Sequence, residues 1–273
     1  MRNFCYEKSY AKVGYRQELV NGIYFRGDIE FAERSPMQNT ANDKWRDIAD
    51  REFSPNVPVN EEVPNTDFTY NQALTLNASL RLRIKQRYMS YPNRKFIMGS
   101  DYPTLWIGYR KGLAVGDSDV DYDLIYATIY DDINLGVIGT SQYTIRGGIF
   151  LNNNKMNFMD FRHFLGNQTS LSRADYRAFQ LLDYYKYSTQ DRYLEGHYEH
   201  HFNGFVMNGF PLINKLKSQL VLSAHYLWTP TSLNYLELGV GLEHLLKIIR
   251  VDFVMGLQEG NQVSTGIRLG VGF

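Results

Sequence analysis

Residues 266–273 read GIRLGVGF, and this stretch alternates apolar residues with small or charged ones. Every second residue from Ile267 to Phe273 is apolar, whereas the other positions of the stretch hold Gly266, Arg268, Gly270 and Gly272. Successive side chains of a β-strand point to opposite faces of the sheet. The segment therefore predicts a strand with one apolar face and one small or charged face.

The same period of two recurs along most of the chain. Residues 74–84 alternate apolar and polar side chains without a break, which is about the length that a tilted membrane strand needs. Residues 235–242 alternate Leu or Val with Glu237 and two glycines. The pattern predicts about eleven strands, at 9–20, 22–33, 70–87, 104–112, 122–133, 141–151, 191–202, 218–228, 234–244, 248–257 and 264–273.

The connections between these strands alternate between short and long. Asn21-Gly22 predicts a tight hairpin turn, and the long connections are 34–69 and 152–190. Bacterial outer-membrane barrels have short turns on the periplasmic side and longer loops outside. With the C-terminus in the periplasm, both long connections are external, together with 113–121, 229–233 and 258–263.

Composition excludes several classes of protein. Lys+Arg and Asp+Glu balance at 29 each, whereas a nucleic-acid-binding protein needs a basic surplus. Cys5 is the single cysteine of the 273 residues, so an internal disulfide and a cysteine metal cluster are excluded. Mean hydropathy is −0.39 and no apolar run reaches the ~18–20 residues of a membrane helix. No nucleophile elbow or phosphate-binding loop occurs, so we expect neither an enzyme nor a cofactor.

Two all-β architectures remain, a transmembrane β-barrel and a soluble β-sandwich. The recurrent glycines and charged residues on one face suit a crowded lumen better than the outer face of a sandwich. We therefore predict an antiparallel transmembrane β-barrel. Because the N-terminal residues MRNFCYEKSYAKVGY do not resemble a signal peptide, we expect a C-terminal portion of a longer barrel. Such a portion alone is expected to form either a partial barrel with two free edges or a barrel completed by another chain.

Several charged residues are predicted to share the lumen face of this barrel. Four of them follow one another at every second position of one strand, namely Glu195, His197, Glu199 and His201. This set could bind a divalent ion, but one flat strand spaces same-face side chains ~6.5–7 Å apart, which favours a ladder of hydrogen bonds and ion pairs without metal. On later strands Glu237, Arg250, Asp252 and Arg268 are predicted to extend the network. It is either structural or a gate that contacts substrate.

A family resemblance covers nearly the whole chain. The stretches that carry it are YPNRKFIMGSDYPTLWIGYRKG (91–112), SDVDYD (118–123), DDINLGVIGTSQYTIRGGIFLNN (131–153), MDFRHFLGNQT (159–169), FQLLDYYKYST (179–189), YLEGHYEHHFNGF (193–205) and IIRVDFV (248–254). They resemble a family of unknown function from outer membranes of the Gram-negative Bacteroidota. Its members carry a carboxypeptidase-regulatory-like sandwich followed by a C-terminal barrel region. The resemblance implies that the chain, residues 1–273, is one such barrel region.

The layout of the last five strands resembles a second, more distant group, the bacterial surface antigen superfamily of outer-membrane assembly proteins. This resemblance implies a barrel of sixteen strands and a role in inserting or translocating other proteins. Members carry an Arg-Gly-aromatic motif on a long external loop that folds into the lumen. The matching residues here are Arg177 and Phe179, with Ala178 at the glycine position.

These observations predict a non-enzymatic outer-membrane protein that acts in insertion or export of protein or lipid. The alternative is a passive channel or a surface scaffold. Expected partners are outer-membrane lipid, the barrel assembly machinery and another outer-membrane or periplasmic protein, but not nucleic acid. The terminal residues Ile267, Leu269, Val271 and Phe273 resemble the C-terminal signal by which barrels are recognised for assembly. Substitution of Leu238 or Val240 is expected to be costly, and substitution of Glu237 or Gly239 mild.

Overall fold

The computed structural model of the chain describes residues 5–37, 57–171, 175–209 and 218–271. Thirteen strands and three single turns of 3₁₀-helix are present in these ranges. The strands are β1 (Tyr6–Val20), β2 (Ile23–Pro36), β3 (Asn71–Arg83), β4 (Arg87–Tyr91), β5 (Arg94–Gly99), β6 (Thr104–Leu113), β7 (Asp121–Asn134), β8 (Thr140–Lys155), β9 (Arg192–His201), β10 (Gln219–Trp228), β11 (Tyr235–Leu245), β12 (Ile249–Gln258) and β13 (Asn261–Val271). Among the described residues, no helix is long and apolar enough to cross a membrane.

Eleven of the strands form one antiparallel sheet, which confirms the predicted number. Each strand pairs with its neighbours in the chain, in the order β1-β2-β3-β6-β7-β8-β9-β10-β11-β12-β13. The sheet is open, because β1 and β13 each have one strand partner in the described ranges. Near the end of β13, the N–H of Leu269 donates a hydrogen bond of 3.0 Å to the carbonyl of Ser170, which lies in the connection 156–191. The predicted membrane barrel therefore remains a proposal.

Because the sheet runs up and down in chain order, its connections separate into two sets. The loop end carries the connections 37–70, 114–120, 156–191, 229–234 and 259–260, and the turn end carries 21–22, 84–103, 135–139, 202–218 and 246–248. Both long connections lie at the loop end, as the alternation predicts. Part of the first, residues 38–56, is outside the described ranges.

The segment between β3 and β6 differs from the prediction, which has no strand between residues 88 and 103. Strands β4 and β5 form a separate hairpin there, with the turn at Pro92-Asn93. Tyr91 and Phe96 pack edge to face across it at 5.4 Å, and Arg94 lies 4.3 Å above the ring of Phe96. Ring contacts of this kind stabilise a two-stranded unit that has no buried face.

The predicted hairpin turn at Asn21-Gly22 is present, and two features require glycine there. Gly22 has φ +85°, a conformation that L side chains rarely adopt. A Cβ atom at Gly22 would lie 2.3 Å from the carbonyl oxygen of Arg83. That close approach lets the N–H of Arg83 donate to the carbonyl of Gly22 at 2.7 Å, which joins the turn to the end of β3.

The sheet is apolar where it is exposed and polar where it is buried. On β11, Glu237 is 0% exposed, whereas Leu238 is 41% and Val240 52% exposed. The apolar face continues from strand to strand, because Val240 pairs with Leu222 on one neighbouring strand and with Phe253 on the other. The exposed apolar face also includes Ile29, Leu76, Leu80, Ile107, Ile125, Ile145, Ile149, Leu194, Leu238 and Ile267.

The polar face is concave. Arg250 on β12 hydrogen-bonds Glu199 on β9, although β10 and β11 lie between them. Strands three places apart in a flat sheet are about 14 Å apart. We infer that curvature brings these two side chains within 2.7 Å of each other.

Glycines on the concave face make room for tyrosine rings on the neighbouring strand. A Cβ atom at Gly108 would lie 2.2 Å from the ring of Tyr126, and one at Gly148 would lie 2.6 Å from the ring of Tyr193. Both pairs are direct cross-strand neighbours. Glycine thus lets an aromatic ring lie over the backbone, which explains the small residues that alternate with charged ones along this face.

The connection 156–191, here named the plug, folds back onto the concave face at the loop end. The buried apolar core lies between the plug and the strands. The plug contributes Phe164, Phe179, Leu182 and Tyr187, and the sheet contributes Tyr122, Leu124, Phe150, Tyr193, Leu227 and Tyr235. The core is therefore inside the curve of the sheet, and the residues that the structure describes leave the outer face uncovered.

Candidate functional site: the plugged concave face

Backbone hydrogen bonds hold two stretches of the plug side by side. Asn167 N–H donates to the carbonyl of Leu182 at 2.9 Å, and Phe179 N–H donates to that of Leu165 at 2.8 Å. Nearer the strands, Arg162 and Thr189 exchange two backbone hydrogen bonds. The plug is thus an ordered double layer in its described parts, which exclude residues 172–174.

Glu237 is the strongest attachment of the plug to the sheet. Its carboxylate accepts the backbone N–H groups of three consecutive plug residues, Gln180 at 2.6 Å, Leu181 at 3.0 Å and Leu182 at 2.9 Å. Tyr235, two residues before Glu237, donates its hydroxyl to the same carboxylate at 2.7 Å. Hydrogen bonds to a charged acceptor contribute more than neutral ones, so a fully buried carboxylate with four donors is a strong anchor.

The candidate motif residues of the plug have different environments. Phe179 is fully buried, and its ring lies 4.9 Å from that of His197 and 6.0 Å from those of His225 and Tyr235. Arg177 pairs within the plug, with Asp175 at 2.8 Å. The aromatic residue of the motif therefore docks into the concave face, whereas its arginine does not bond a strand residue.

Two ion pairs anchor the other half of the plug. Asp160 is held by both terminal nitrogens of Arg34 on β2, each at 2.8 Å. Arg162 binds Glu195 on β9, which also receives Arg146 from β8 at 2.7 Å. Charged groups removed from water require partners of this kind. The plug is thus attached to β2, β9 and β11.

The predicted network of lumen charges divides into two groups. At the turn end, Glu199 bonds His201 at 2.8 Å and Arg250 at 2.7 Å, and Arg250 also bonds Asp252 at 2.7 Å. Nearer the loop end, Glu195 and Glu237 contact the plug, and so does Arg268, which is the register partner of Asp252 further along the sheet. Arg268 donates to the carbonyl of Gln180 at 2.7 Å. Glu237 and Arg268 therefore serve the plug and do not join Arg250 and Asp252 in one network.

His197 lies between the two groups. Its Nδ1 is 3.1 Å from Nδ1 of His225 on β10, and Phe179 packs on both rings. No group of three His, Cys, Asp or Glu side chains arranged to hold a metal occurs among the described residues. Each of the four predicted residues of this strand forms a side-chain hydrogen bond. Glu195 bonds Arg146, His197 bonds His225, and Glu199 and His201 bond each other.

A second segment, residues 57–70, covers the plug from the loop end. The side-chain amide of Asn60 donates to the carbonyls of Tyr185 at 2.7 Å and Ser188 at 2.9 Å. Glu62 accepts the N–H of Gln190 at 2.9 Å. The described parts of the two long connections thus form one packed unit over the mouth of the concave face.

His163 lies at the centre of this unit. Its Nδ1 is 2.8 Å from the hydroxyl of Ser188, and its ring packs against Phe158 at 5.0 Å and Tyr185 at 5.1 Å. Burial, with a smaller contribution from the positive charge of Arg162, lowers the pKa of His163 to about 4. The docked plug therefore holds this imidazole neutral.

We expect docking of the plug to weaken as the pH falls from about 6.5 towards about 4. An undocked His163 takes up a proton near its ordinary pKa of about 6.5, whereas the docked one resists protonation. Hydrogen exchange of residues 158–163, corrected for intrinsic rates, should show full protection at pH 7.5 and reduced protection at pH 5. The variant His163→Phe keeps an aromatic ring and should lose most of the difference. An equal response in that variant would assign the effect to other groups.

The predicted assembly signal lies on the edge strand β13. Ile267, Leu269 and Val271 occupy the exposed apolar face, and Phe273 lies outside the described residues. Their role in assembly stays a prediction.

Sequence reasoning missed Arg34, Asp160, Arg162 and His225. His225 sits on the polar face of the predicted strand 218–228, and Arg34 lies one residue beyond the predicted end of strand 22–33. Continuing the alternation of each strand would therefore have found both residues. Asp160 and Arg162 lie on the plug, where no periodic pattern marks a residue. Their ion-pair partners are set by how the plug packs on the sheet, which the sequence pattern does not specify.

One family model matches this chain over residues 1–242, and its description is the C-terminal domain of DUF5686, a family of unknown function. No curated protein matches the sequence.

Proposed function

This chain belongs to the DUF5686 family, whose function is unknown, and we propose from its geometry that it forms part of the wall of a β-barrel in the outer membrane of a Gram-negative bacterium. The observation that carries the proposal is the distribution of polarity. The convex face presents rows of exposed Leu, Ile, Val and Phe, while Glu195, Glu237 and Asp252 are buried on the concave face. A protein in water has the opposite arrangement, whereas a barrel in lipid requires this one.

The open sheet fits a barrel that further strands complete. In lipid, each unpaired N–H or C=O group at the edge of a sheet costs several kcal/mol, roughly the penalty for any unsatisfied backbone group. β1 and β13 would therefore pair with strands from outside this chain. The sixteen-strand barrel implied by the surface antigen resemblance is one arrangement with room for the eleven strands found here.

Labelling of single cysteines tests this topology. In a Cys5→Ser background, Asp117→Cys places a thiol at the loop end, and Val137→Cys places one at the turn end, in the exposed connection 135–139. A membrane-impermeant maleimide should label the first variant on intact cells and the second only after the outer membrane is permeabilised. Equal labelling of both variants on intact cells would contradict the proposed membrane crossing.

For the activity we propose insertion or export of protein or lipid at the outer membrane. Two features support it, the similarity in strand layout to assembly barrels and the aromatic residue Phe179 docked in the lumen. Purified protein in planar bilayers should then show little steady conductance, because the plug covers the concave face, and should accelerate the folding of a second barrel in vesicles. Steady conductance without acceleration would favour the passive channel instead.

A further inference from the structure

A cleft of about 660 Å³ lies between the sheet and the plug, away from the anchor at Glu237. The wall of β6, β7 and β8 forms one side, and residues 159–163 and Arg177 of the plug form the other. Sites for small molecules typically have volumes of about 300–1,000 Å³. The cleft is therefore large enough for a small organic molecule.

Positive charge is in excess around the cleft. Four guanidinium groups line it, those of Arg110, Arg146, Arg162 and Arg177. The one lining carboxylate, Asp160, has both oxygens bound by Arg34 from behind. The other nearby acids are Glu195, Asp175 and Asp28, of which Asp28 accepts from Asn77 of the lining and pairs with Lys12. Five guanidinium groups including Arg34, together with this lysine, therefore face four carboxylates.

Arg110 is the least neutralised of these groups. Its closest acid oxygen is Oδ1 of Asp160, at 3.8 Å, which already accepts from Arg34. The remaining arginines each have an ion pair of 2.8 Å or less. A guanidinium presents its donors in a fork that matches the oxygens of a phosphate.

Three buried donors along the cleft have no hydrogen-bond partner among the residues that the structure describes. They are the Nε atoms of Arg110 and Arg162 and the indole Nε1 of Trp106. All three are N–H groups, so the polar atoms of the wall that lack a partner are donors and not acceptors. The wall therefore favours a ligand rich in acceptor oxygens.

The rest of the lining is aromatic and hydroxylic. Trp106, Tyr126, Tyr130 and Tyr193 supply aromatic rings, and Asn77, Thr128 and Thr144 supply amide and hydroxyl groups. Flat rings beside hydroxyl and amide groups suit the faces and hydroxyls of a sugar. A bare phosphate would leave most of this surface without contact.

We propose that this cleft binds a phosphorylated sugar, either soluble or carried as the headgroup of a lipid, and that the ligand bridges the sheet and the plug. The inference does not depend on the proposed function, since the cleft is defined by the sheet and plug alone. A ligand that contacts Arg110 on one side and Arg162 on the other also stabilises the docked plug by mass action.

Trp106 provides a direct reporter of binding. The chain has three tryptophans, so Trp45→Phe and Trp228→Phe leave Trp106 alone. Glucose 1,6-bisphosphate should change its fluorescence saturably in the full chain in detergent, and inorganic pyrophosphate should do so more weakly. Glucose, the neutral match, should not. A phosphorylated glycolipid in the same micelles distinguishes a soluble ligand from a lipid headgroup. If the glycolipid binds at least tenfold more tightly than the bisphosphate, the ligand is a lipid headgroup.

Two substitutions with opposite expected effects test the role of charge. Arg110→Gln removes the least neutralised guanidinium and should weaken binding by about tenfold or more, the value of one charged hydrogen bond. Asp175→Asn removes the partner of Arg177 at a partly exposed position and should tighten binding. Arg87→Gln on the exposed hairpin is the matched control and should change nothing.

Circular dichroism of each variant establishes that the sheet is intact. The proposal is overturned if neither the bisphosphate nor the glycolipid binds at millimolar concentration. It is also overturned if glucose binds as tightly as its bisphosphate, or if a folded Arg110→Gln protein binds as tightly as the parent.

Discussion

Replacing Glu237 with alanine is expected to release the plug from the concave face. The change leaves the N–H groups of Gln180, Leu181 and Leu182 and the hydroxyl of Tyr235 without their acceptor. Removing one partner from a buried charged hydrogen-bond group typically costs about 3–5 kcal/mol. Undocking at that cost raises the open population roughly a hundredfold or more.

Limited trypsin digestion measures this release, because Arg177 and Lys186 lie within the plug. Cleavage at Lys186 should accelerate strongly in Glu237→Ala and to an intermediate degree in Glu237→Gln, whose amide keeps one acceptor oxygen. Glu259→Gln, at an exposed position in the turn before β13, is the control and should digest like the parent. Unchanged cleavage in Glu237→Ala would mean that the carboxylate does not hold the plug.

Introducing arginine at Leu238 or Val240 is expected to disrupt membrane insertion. Both side chains are exposed on the convex face near the middle of β11. If that face contacts lipid, arginine near the bilayer midplane costs about 2–4 kcal/mol. The fraction of protein that inserts into vesicles, and its unfolding by urea there, should both fall.

The control for this experiment is the same change outside the strands. Val137 is 80% exposed in the connection 135–139, so Val137→Arg should insert like the parent. In water an arginine on an exposed face is tolerated, so equal behaviour of Leu238→Arg and Val137→Arg would indicate a soluble sheet. The comparison isolates lipid contact from general damage to the fold.

Glu237 also illustrates where the sequence alone is misleading. Its alternation with Leu236 and Leu238 predicts correctly that it lies on the face opposite the apolar one. The structure leads to the opposite of the expectation that a change at Glu237 would be mild, because that expectation treats the concave face as a tolerant lumen surface. The plug covers that face, and the carboxylate is fully buried against it.

The strands of the main sheet were predictable because their signal is local. Leu, Ile and Val at every second position of the sequence identify both the strands and their outer face. The eleven predicted strands match the main sheet in number and order. The hairpin of β4 and β5 was missed because its residues are exposed on both faces, so burial imposes no alternation.

The sequence by itself determined the all-β class, the strands, and which side chains share a face, since all of these follow from the two-residue period of an extended backbone. Only the tertiary structure decided what the polar face binds. Glu237 accepts N–H groups 55 to 57 residues away, and every residue except proline carries such a group, so no side-chain pattern marks them. Arg34 meets Asp160 across 126 residues because the sheet curves and the plug folds back. Contacts of this kind depend on the path of the chain through space, which the periodicity of single strands does not specify.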